Sequence, residues 1–215
     1  PDDGFLIGAN LTRTTYKFAK DPYHAQHNFV GSFAFATRSW FLQYNCDFLN
    51  AIGGWDLMIE SQLSGPSYAF NYFGMGNTAQ ADFENNEIDY YRVRQGQLFL
   101  FPALKKRFAG NSGKFFFGPM LDSRDLEDTE GRFIVSSESG LSASDFETQH
   151  FAGGRFGLNF NSLDNWQNPH KGIVFNTQLS YLNHLNGSRY SFGALSSNFA
   201  MYKPLDREES FILVT

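Results

Sequence analysis

The residues with the clearest potential for metal chemistry are acidic. Asp122, Asp125, Asp128 and Glu130, with Glu127 between them, stand close together in one polar stretch. Carboxylate oxygens are the ligands that Ca²⁺ takes in proteins. The spacing does not match the calcium loop of an EF-hand, however, and acidic runs of this kind are usually solvated loops. We therefore expect no resident metal and keep these carboxylates only as calcium candidates.

Residue patterns that would support catalysis are missing from the rest of the sequence. It contains no phosphate-binding glycine loop, no G-x-S-x-G elbow and no H-E-x-x-H zinc helix. The segment "GNSGK", from Gly110 to Lys114, lacks the spacing of a phosphate loop and is typical of a turn. Cys46 is the only cysteine, which excludes an internal disulfide and a cysteine-based zinc site. The sequence therefore predicts no enzyme activity and no cofactor.

Alternation of large apolar with polar residues dominates the chain. In one segment Trp40, Leu42, Tyr44, Cys46 and Phe48 alternate with Gln43, Asn45 and Asp47. The aromatic share is 18%, as large as the charged share. About ten such segments are present, starting near Gly4, Asn28, Ser39, Trp55, Tyr90, Lys114, His150, Ile173, Arg189 and Ser210. The pattern predicts an all-β antiparallel fold.

Segment length and loop length favour strands that cross a membrane. Most segments are long enough for the roughly 9 to 11 residues of a tilted transmembrane strand. The connections alternate between compact turns such as "DNWQNPHKG" and long acidic loops such as "GMGNTAQADFENNEID". Bacterial outer-membrane barrels have short periplasmic turns and long outer loops. We therefore expect residues 1–215 to form a single transmembrane β-barrel domain in the outer membrane of a Gram-negative bacterium.

The polar faces of the predicted strands carry charges of both signs. Asp47 and Glu60 stand against Arg92, Arg94 and Arg155, and in a barrel these side chains are expected to face the lumen. They could be structural ion pairs or could tune a hydrated conduit. Alternation alone also permits a soluble barrel with its aromatic faces inside, binding an apolar ligand. The net charge of -5 argues against nucleic acid as a partner.

The stretch "FNSLDNWQNPHKGIVFNTQLSYLN" resembles a strand–turn–strand of the bacterial surface antigen superfamily of outer-membrane barrels. That family includes the Bam-type assembly insertases and the two-partner secretion translocases. The matching turn positions are Asp164, Asn168, Pro169 and Gly172. Pro and Gly favour a tight turn, and an Asp can accept hydrogen bonds from its backbone amides. "YAFNYFGMGN" and "YYRVRQGQLFLFPAL" are similar to Bacteroidota-type members of the same superfamily.

The resemblance implies a barrel of about sixteen strands, of which these ten segments would be a part, incomplete at both ends. It implies a role in outer-membrane protein assembly or in transport of polypeptide or lipid. The expected partners are the lipid bilayer and other outer-membrane or periplasmic proteins. The family's Arg-Gly-Phe loop motif is not matched, since "GRFIV" and "GRFGL" have a different order. An alternative is a barrel that anchors a metallophosphoesterase domain, and a passive diffusion pore is a further one.

Overall fold

The computed structural model describes residues 4–18, 21–76, 79–187, 191–204 and 211–214. They form a single ten-stranded antiparallel sheet in which each strand pairs with the next in the chain. The strands are β1 (Leu6–Thr15), β2 (Ala25–Ala34), β3 (Ser39–Ile52), β4 (Trp55–Asn71), β5 (Arg92–Phe108), β6 (Gly113–Leu126), β7 (Gln149–Asn161), β8 (Gly172–His184), β9 (Ser191–Pro204) and β10 (Phe211–Val214). The prediction of an all-β antiparallel fold is confirmed.

In the described part of the chain, helical structure is confined to four short 3₁₀ turns, at Ile88–Tyr91, Ala109–Asn111, Phe133–Val135 and Ala143–Phe146. Within the described residues, no helix has the length and apolar character needed to cross a membrane.

The ten strands begin close to the positions expected from the alternation. Ser39 and Trp55 are the observed first residues of β3 and β4, and the other strands in the described residues start within three residues of expectation. The expected starts at Arg189 and Ser210 lie outside the described residues, and β9 and β10 are seen from Ser191 and Phe211. Most strands are 13 to 17 residues long, well above the five or six typical of globular sheets.

The sheet is open along the described residues, because β1 pairs only with β2 and β10 only with β9. The ladders are regular across β6, β7, β8 and β9, and register shifts occur in β4 between Ser64 and Tyr68 and at the end of β3 between Phe48 and Ile52. A period of two along regular ladders keeps each side chain on one face of the sheet. One face of the sheet therefore carries mostly the polar side chains of the alternation and the other mostly the apolar ones.

Connections of two lengths join the strands. The short connections from β1 to β2, β3 to β4, β5 to β6 and β7 to β8 leave the strands at one edge of the sheet, which we call the turn edge. The long connections from β4 to β5 and from β6 to β7 leave the strands at the opposite edge, the loop edge. In a meander with antiparallel neighbours, successive connections must alternate between the two edges.

Candidate functional site

Ionic side chains converge on one face of the sheet from strands that are not neighbours. The Arg155 Nη1 atom on β7 lies 3.1 Å from the Glu60 Oε2 atom on β4. Three strand spacings separate β4 from β7, roughly 14 Å in a flat sheet. Lys105 on β5 pairs in the same way with Asp47 on β3, two strands away. Such contacts require a curved sheet, and we call this side the concave face.

The concave face carries the polar half of the alternation. Its cross-strand neighbours include Asn45 with Glu60 and Gln43 with Gln62. Amide groups bond along it, with Asn159 Nδ2 donating to Asn176 Oδ1 at 2.7 Å. Gln97 Nε2 donates to Asp122 Oδ1 at 3.0 Å on the adjacent strand. Such pairing offsets the cost of withdrawing polar groups from bulk water.

Arg155 occupies the middle of the concave face. Its guanidinium carbon lies 4.6 Å from the ring centre of Phe101 and 5.2 Å from that of Phe99. Its Nε atom is buried and has no hydrogen-bond partner among the residues that the structure describes. Cation–π contacts and ion pairs both strengthen when the charge is withdrawn from water. Glu60 is therefore the counter-ion of an arginine held largely out of solvent.

Near the turn edge a second ionic group surrounds Asp47. The Tyr23 hydroxyl donates to Asp47 Oδ2 at 3.0 Å, and the Lys105 ammonium pairs with the same oxygen. Burial, and then the Asp47 charge, raise the pKa of Tyr23 to about 12. Arg107 Nε lies 3.0 Å from Asp56 Oδ2, whose side chain is almost fully buried. These pairs tie β3, β4 and β5 together where the strands end.

The opposite, convex face carries large apolar side chains in contact with the surroundings. Leucines on six of the strands expose between 49% and 72% of their surface: Leu11, Leu42, Leu98, Leu121, Leu179 and Leu195. Aromatic rings occupy the same face, among them Phe29, Phe117, Phe156 and Phe199. A soluble monomer rarely exposes a contiguous apolar patch larger than a few hundred Å². Here the apolar side chains run across every strand from β1 to β9.

Aromatic and cationic side chains meet on the convex face near the turn edge. The Trp55 ring packs edge-on against Phe115 at 5.6 Å and Phe117 at 5.8 Å between ring centres. Lys106 Nζ lies 5.5 Å from the Trp55 ring centre and donates to the Gly54 carbonyl oxygen at 2.7 Å. Lysine can thus lay its alkyl chain along apolar surface while its charge reaches the polar edge.

Three of the five charged residues expected on the polar face lie there, and two do not. Asp47, Glu60 and Arg155 form the contacts described above. Arg92 and Arg94 instead are even-numbered positions of β5, like the exposed Leu98, whereas Gln97 on the concave face is odd-numbered. The register of β5 therefore sets Arg92 and Arg94 apart from the other three charged residues.

Both arginines pair with carboxylates near the loop edge. Arg92 lies 3.1 Å from Asp89, and Arg94 lies 3.5 Å from Glu127. They therefore fasten the end of β5 to the adjoining long connections.

The acidic stretch is dispersed in the fold. Asp122 lies buried on the concave face of β6, where Arg124 Nη2 approaches its Oδ2 atom at 2.8 Å. Asp125 accepts a hydrogen bond from the Thr148 hydroxyl at 3.1 Å. In the part of the chain that the structure describes, no three His, Cys, Asp or Glu side chains are grouped so that they could hold a metal ion. The calcium candidates, which also include Asp128 and Glu130, are therefore not brought together.

The turn between β7 and β8 is organised by Asp164. Its Oδ1 atom accepts hydrogen bonds from the backbone amides of Asn165, His170 and Lys171 at 2.9, 3.0 and 3.1 Å. The Lys171 amide, followed by the His170 and Asn165 amides, holds the pKa of Asp164 below its ordinary value. These contacts match the capping role expected for Asp164 from the sequence.

The other turn positions fit the same description. Gly172 has φ of +133°, and a Cβ atom there would overlap the Ser162 carbonyl oxygen, so a side chain cannot enter without a backbone shift. Asn168 donates its backbone amide to Asn165 Oδ1 at 3.2 Å, immediately before Pro169.

The two long connections pack on each other through aromatic side chains. Tyr91 is buried, with its ring centre 5.2 Å from that of Phe133 and 5.8 Å from that of Phe83. The Tyr72 hydroxyl donates to the Ser139 carbonyl oxygen at 2.7 Å, and burial raises the pKa of Tyr72. The loop edge therefore has its own small core.

Several residues of the concave face were not identified from the sequence. Lys105 pairs there with Asp47, Arg107 with Asp56, and Arg124 with Asp122, which the sequence singles out only as a calcium candidate. Parity along β5 and β6 was the available signal, since Lys105 and Arg107 alternate with apolar Leu104 and exposed Phe108.

Comparison with protein-family models, with curated proteins and with solved structures finds no match to this chain.

Proposed function

We propose that the chain forms part of the wall of a bacterial outer-membrane β-barrel, with its convex face against lipid and its concave face toward a polar lumen. The observation that carries this proposal is the inversion of polarity between the faces. Large leucine and phenylalanine side chains are exposed on the convex face, while ion pairs meet on the concave face. An outer-membrane barrel has an apolar band outside and a polar interior.

The energetics favour lipid as the surroundings of the convex face. Fully burying a leucine or phenylalanine contributes about 1.5–3 kcal/mol relative to leaving it in water. Leu98 and Leu179 each leave 53% of their surface exposed, and the same holds approximately for their counterparts on other strands. A bilayer removes this whole face from water at once. A soluble barrel with an apolar interior would need the opposite curvature, since its apolar face must be the concave one.

The backbone arrangement supports the same proposal. Hydrocarbon contains no water to satisfy backbone amides, so only helices and closed barrels cross it, and β2–β9 are each paired on both sides as a barrel wall requires. The strands β3–β9 offer 13 to 17 residues each, more than the roughly 9–11 that a tilted strand needs. By analogy with outer-membrane barrels, the turn edge would face the periplasm and the packed long connections the exterior. Trp55 and Lys106 would then stand at the periplasmic interface of the bilayer.

Within this class, the surface antigen superfamily remains the family that we propose. What supports it is the Asp164-centred turn, in which the side chain and Gly172 take the roles expected of the family's turn. The implied function is assembly of outer-membrane proteins or transport of polypeptide or lipid. No residue described above is assigned to a chemical step, and lipid is the partner that the convex face fits best.

Fractionation of cells that produce the full-length protein tests the proposal. We expect the protein in the outer-membrane fraction, resistant to extraction by alkaline carbonate and released by detergent. We also expect its electrophoretic mobility to change on heating, as for a folded barrel. Recovery of the folded protein in the aqueous fraction without detergent would contradict the proposal and favour a soluble ligand-binding protein. The intact mass of the extracted protein would also show whether further strands or an enzyme domain accompany this chain.

A further inference from the structure

Two polar cavities lie on the concave face. The one nearer the turn edge has a volume of about 400 Å³ and is lined by Asp47, Lys105, Lys114 and Asn159, among others. The one nearer the loop edge has a volume of about 560 Å³ and is lined by Gln97, Asp122, Arg124 and Arg155, among others. Both are large enough to hold many water molecules. Asn45 and Glu60 border both cavities, so the two spaces are neighbours at the middle of β3 and β4.

Apolar side chains fill the middle of the concave face where the cavities meet. Phe101 has no exposed surface, and it packs with the other buried members of one cluster, Ala103, Phe116, Met120 and Leu182. Phe116 lines the turn-side cavity, while Met120 and Leu182 line the loop-side cavity. The cluster therefore separates the two cavities rather than lying beneath one of them.

Close backbone approach lets this cluster reach across the sheet. A Cβ atom at Gly118 would overlap the Pro102 carbonyl oxygen on the neighbouring strand. Only a glycine permits that approach of β6 to β5. Phe101 on β5 and Phe116 on β6 lie on either side of it, with ring centres 6.1 Å apart.

The Glu60–Arg155 pair completes the separation on the open side of the cluster. Arg155 places its guanidinium carbon over the ring of Phe101 and extends from β7 to Glu60 on β4. Its side chain is 16% exposed, and that of Glu60 is 37% exposed. Because neither charge has another ion-pair partner among the described residues, loss of Glu60 would leave the largely buried Arg155 charge unpaired.

We propose that Glu60, Arg155 and Phe101 form a septum that blocks passage of polar solutes between the turn-side and loop-side cavities. This inference rests on the proposed function, because it assigns a constriction to the lumen of the proposed barrel. Breaking the ion pair frees the Arg155 side chain and opens a path between two hydrated cavities. A closed septum excludes a passive, permanently open pore along this face.

Cysteine labelling in intact cells tests the septum. The full-length protein carries Cys46→Ser, together with either Gln97→Cys in the loop-side cavity or Lys114→Cys in the turn-side cavity. Lys114 makes no ion pair in the described residues, so its replacement removes none of the ion pairs seen there. A charged, membrane-impermeant methanethiosulfonate is added outside the cells. We expect Gln97→Cys to react at least tenfold faster than Lys114→Cys.

Removal of the Glu60–Arg155 ion pair should abolish the difference between the two labelling rates. Adding Glu60→Ala with Arg155→Ala should raise the Lys114→Cys rate at least tenfold. Adding Asp122→Ala with Arg124→Ala, which removes a pair of the same kind beside the loop-side cavity, should leave that rate unchanged. Where the double alanine variant is not recovered in the membrane, Glu60→Gln makes the same comparison with the side-chain length retained.

The outcomes separate the two proposals. Equal rates for the two cysteines in a membrane-inserted protein, or a Lys114→Cys rate that the loss of Glu60 and Arg155 does not change, would overturn the septum and leave the barrel proposal standing. Fractionation of the same cells provides the second readout. A protein that is not inserted in the outer membrane would overturn both.

Discussion

Replacement of Leu179 by arginine distinguishes a lipid-facing from a water-facing convex surface. Leu179 lies near the centre of β8, between Phe156 on β7 and Leu195 on β9, and exposes 53% of its surface. Gln178 immediately precedes it and points to the concave face, opposite Gly157 and Ser196. Gln178→Arg is therefore a matched control, with the same new side chain one position away.

The two environments predict costs that differ several-fold. In water, a substitution at an exposed position usually changes stability by about 0.5 kcal/mol or less. In a bilayer, Leu179→Arg forfeits the transfer of the exposed half of the leucine, about 1 kcal/mol. It also places a charge on the lipid face, which costs about 2–4 kcal/mol near the midplane. We expect a total loss of about 3–5 kcal/mol for Leu179→Arg. For Gln178→Arg on the polar face we expect about 1 kcal/mol or less.

The assay is reversible urea unfolding of the full-length protein in phosphatidylcholine vesicles, followed by tryptophan fluorescence. The free energies of unfolding of the native protein, Leu179→Arg and Gln178→Arg are compared, provided that all three have the same dependence on urea concentration. A Leu179→Arg cost below about 1 kcal/mol, or one equal to that of Gln178→Arg, would refute the assignment of the convex face to lipid.

Three further predictions concern the turn edge. Gly172→Ala should destabilise the fold by about 2–3 kcal/mol in urea unfolding, because φ of +133° and the lack of space there exclude a side chain. Gly53→Ala, at φ of +54° with no atom within 4 Å of an added Cβ, should cost about 1 kcal/mol, and equal costs would contradict this reasoning. Asp164→Ala should speed amide exchange in the β7–β8 turn. The stability that Asp164 supplies should be present above its ordinary pKa of 3.8 and should vanish as pH falls through its lower pKa in the folded state. An acid unfolding profile that the substitution leaves unchanged would count against this role. Burial and the Asp47 charge raise the pKa of Tyr23 from 10.0 to about 12. The stability that Tyr23 supplies to the fold should therefore be complete below pH 10 and disappear as pH rises toward 12. Tyr23→Phe should flatten that alkaline loss of stability.

The strands could be predicted from the sequence because their signal is local. Alternation with a period of two sets both the extent of a strand and the face of each side chain. Ser39 and Trp55 were identified as strand starts for this reason, and the glycine- and proline-containing turns mark where the strands end. The Asp164 cap was also predictable, since an Asp beside a turn bonds to amides only a few residues away.

The ionic contacts of the concave face could not be predicted in the same way. Glu60 and Arg155 are separated by 95 residues and by two intervening strands. Their contact depends on the curvature of the sheet, which no local pattern specifies. Alternation gives the two faces of a strand but not which of them is concave, so it could not separate a lipid-facing barrel wall from a soluble barrel. Arg92 and Arg94 show the related limit that polarity alone does not assign a face near the end of a strand.

The most direct test of the central claim is lipid exposure at two adjacent positions of β3. In the Cys46→Ser background, Leu42→Cys on the convex face and Gln43→Cys beside the loop-side cavity are each labelled with an environment-sensitive fluorophore in vesicles. A nitroxide-labelled lipid should strongly quench the label at position 42, and aqueous iodide the label at position 43. Equal quenching at both positions, or the reverse order, would contradict a barrel wall with its convex face in lipid.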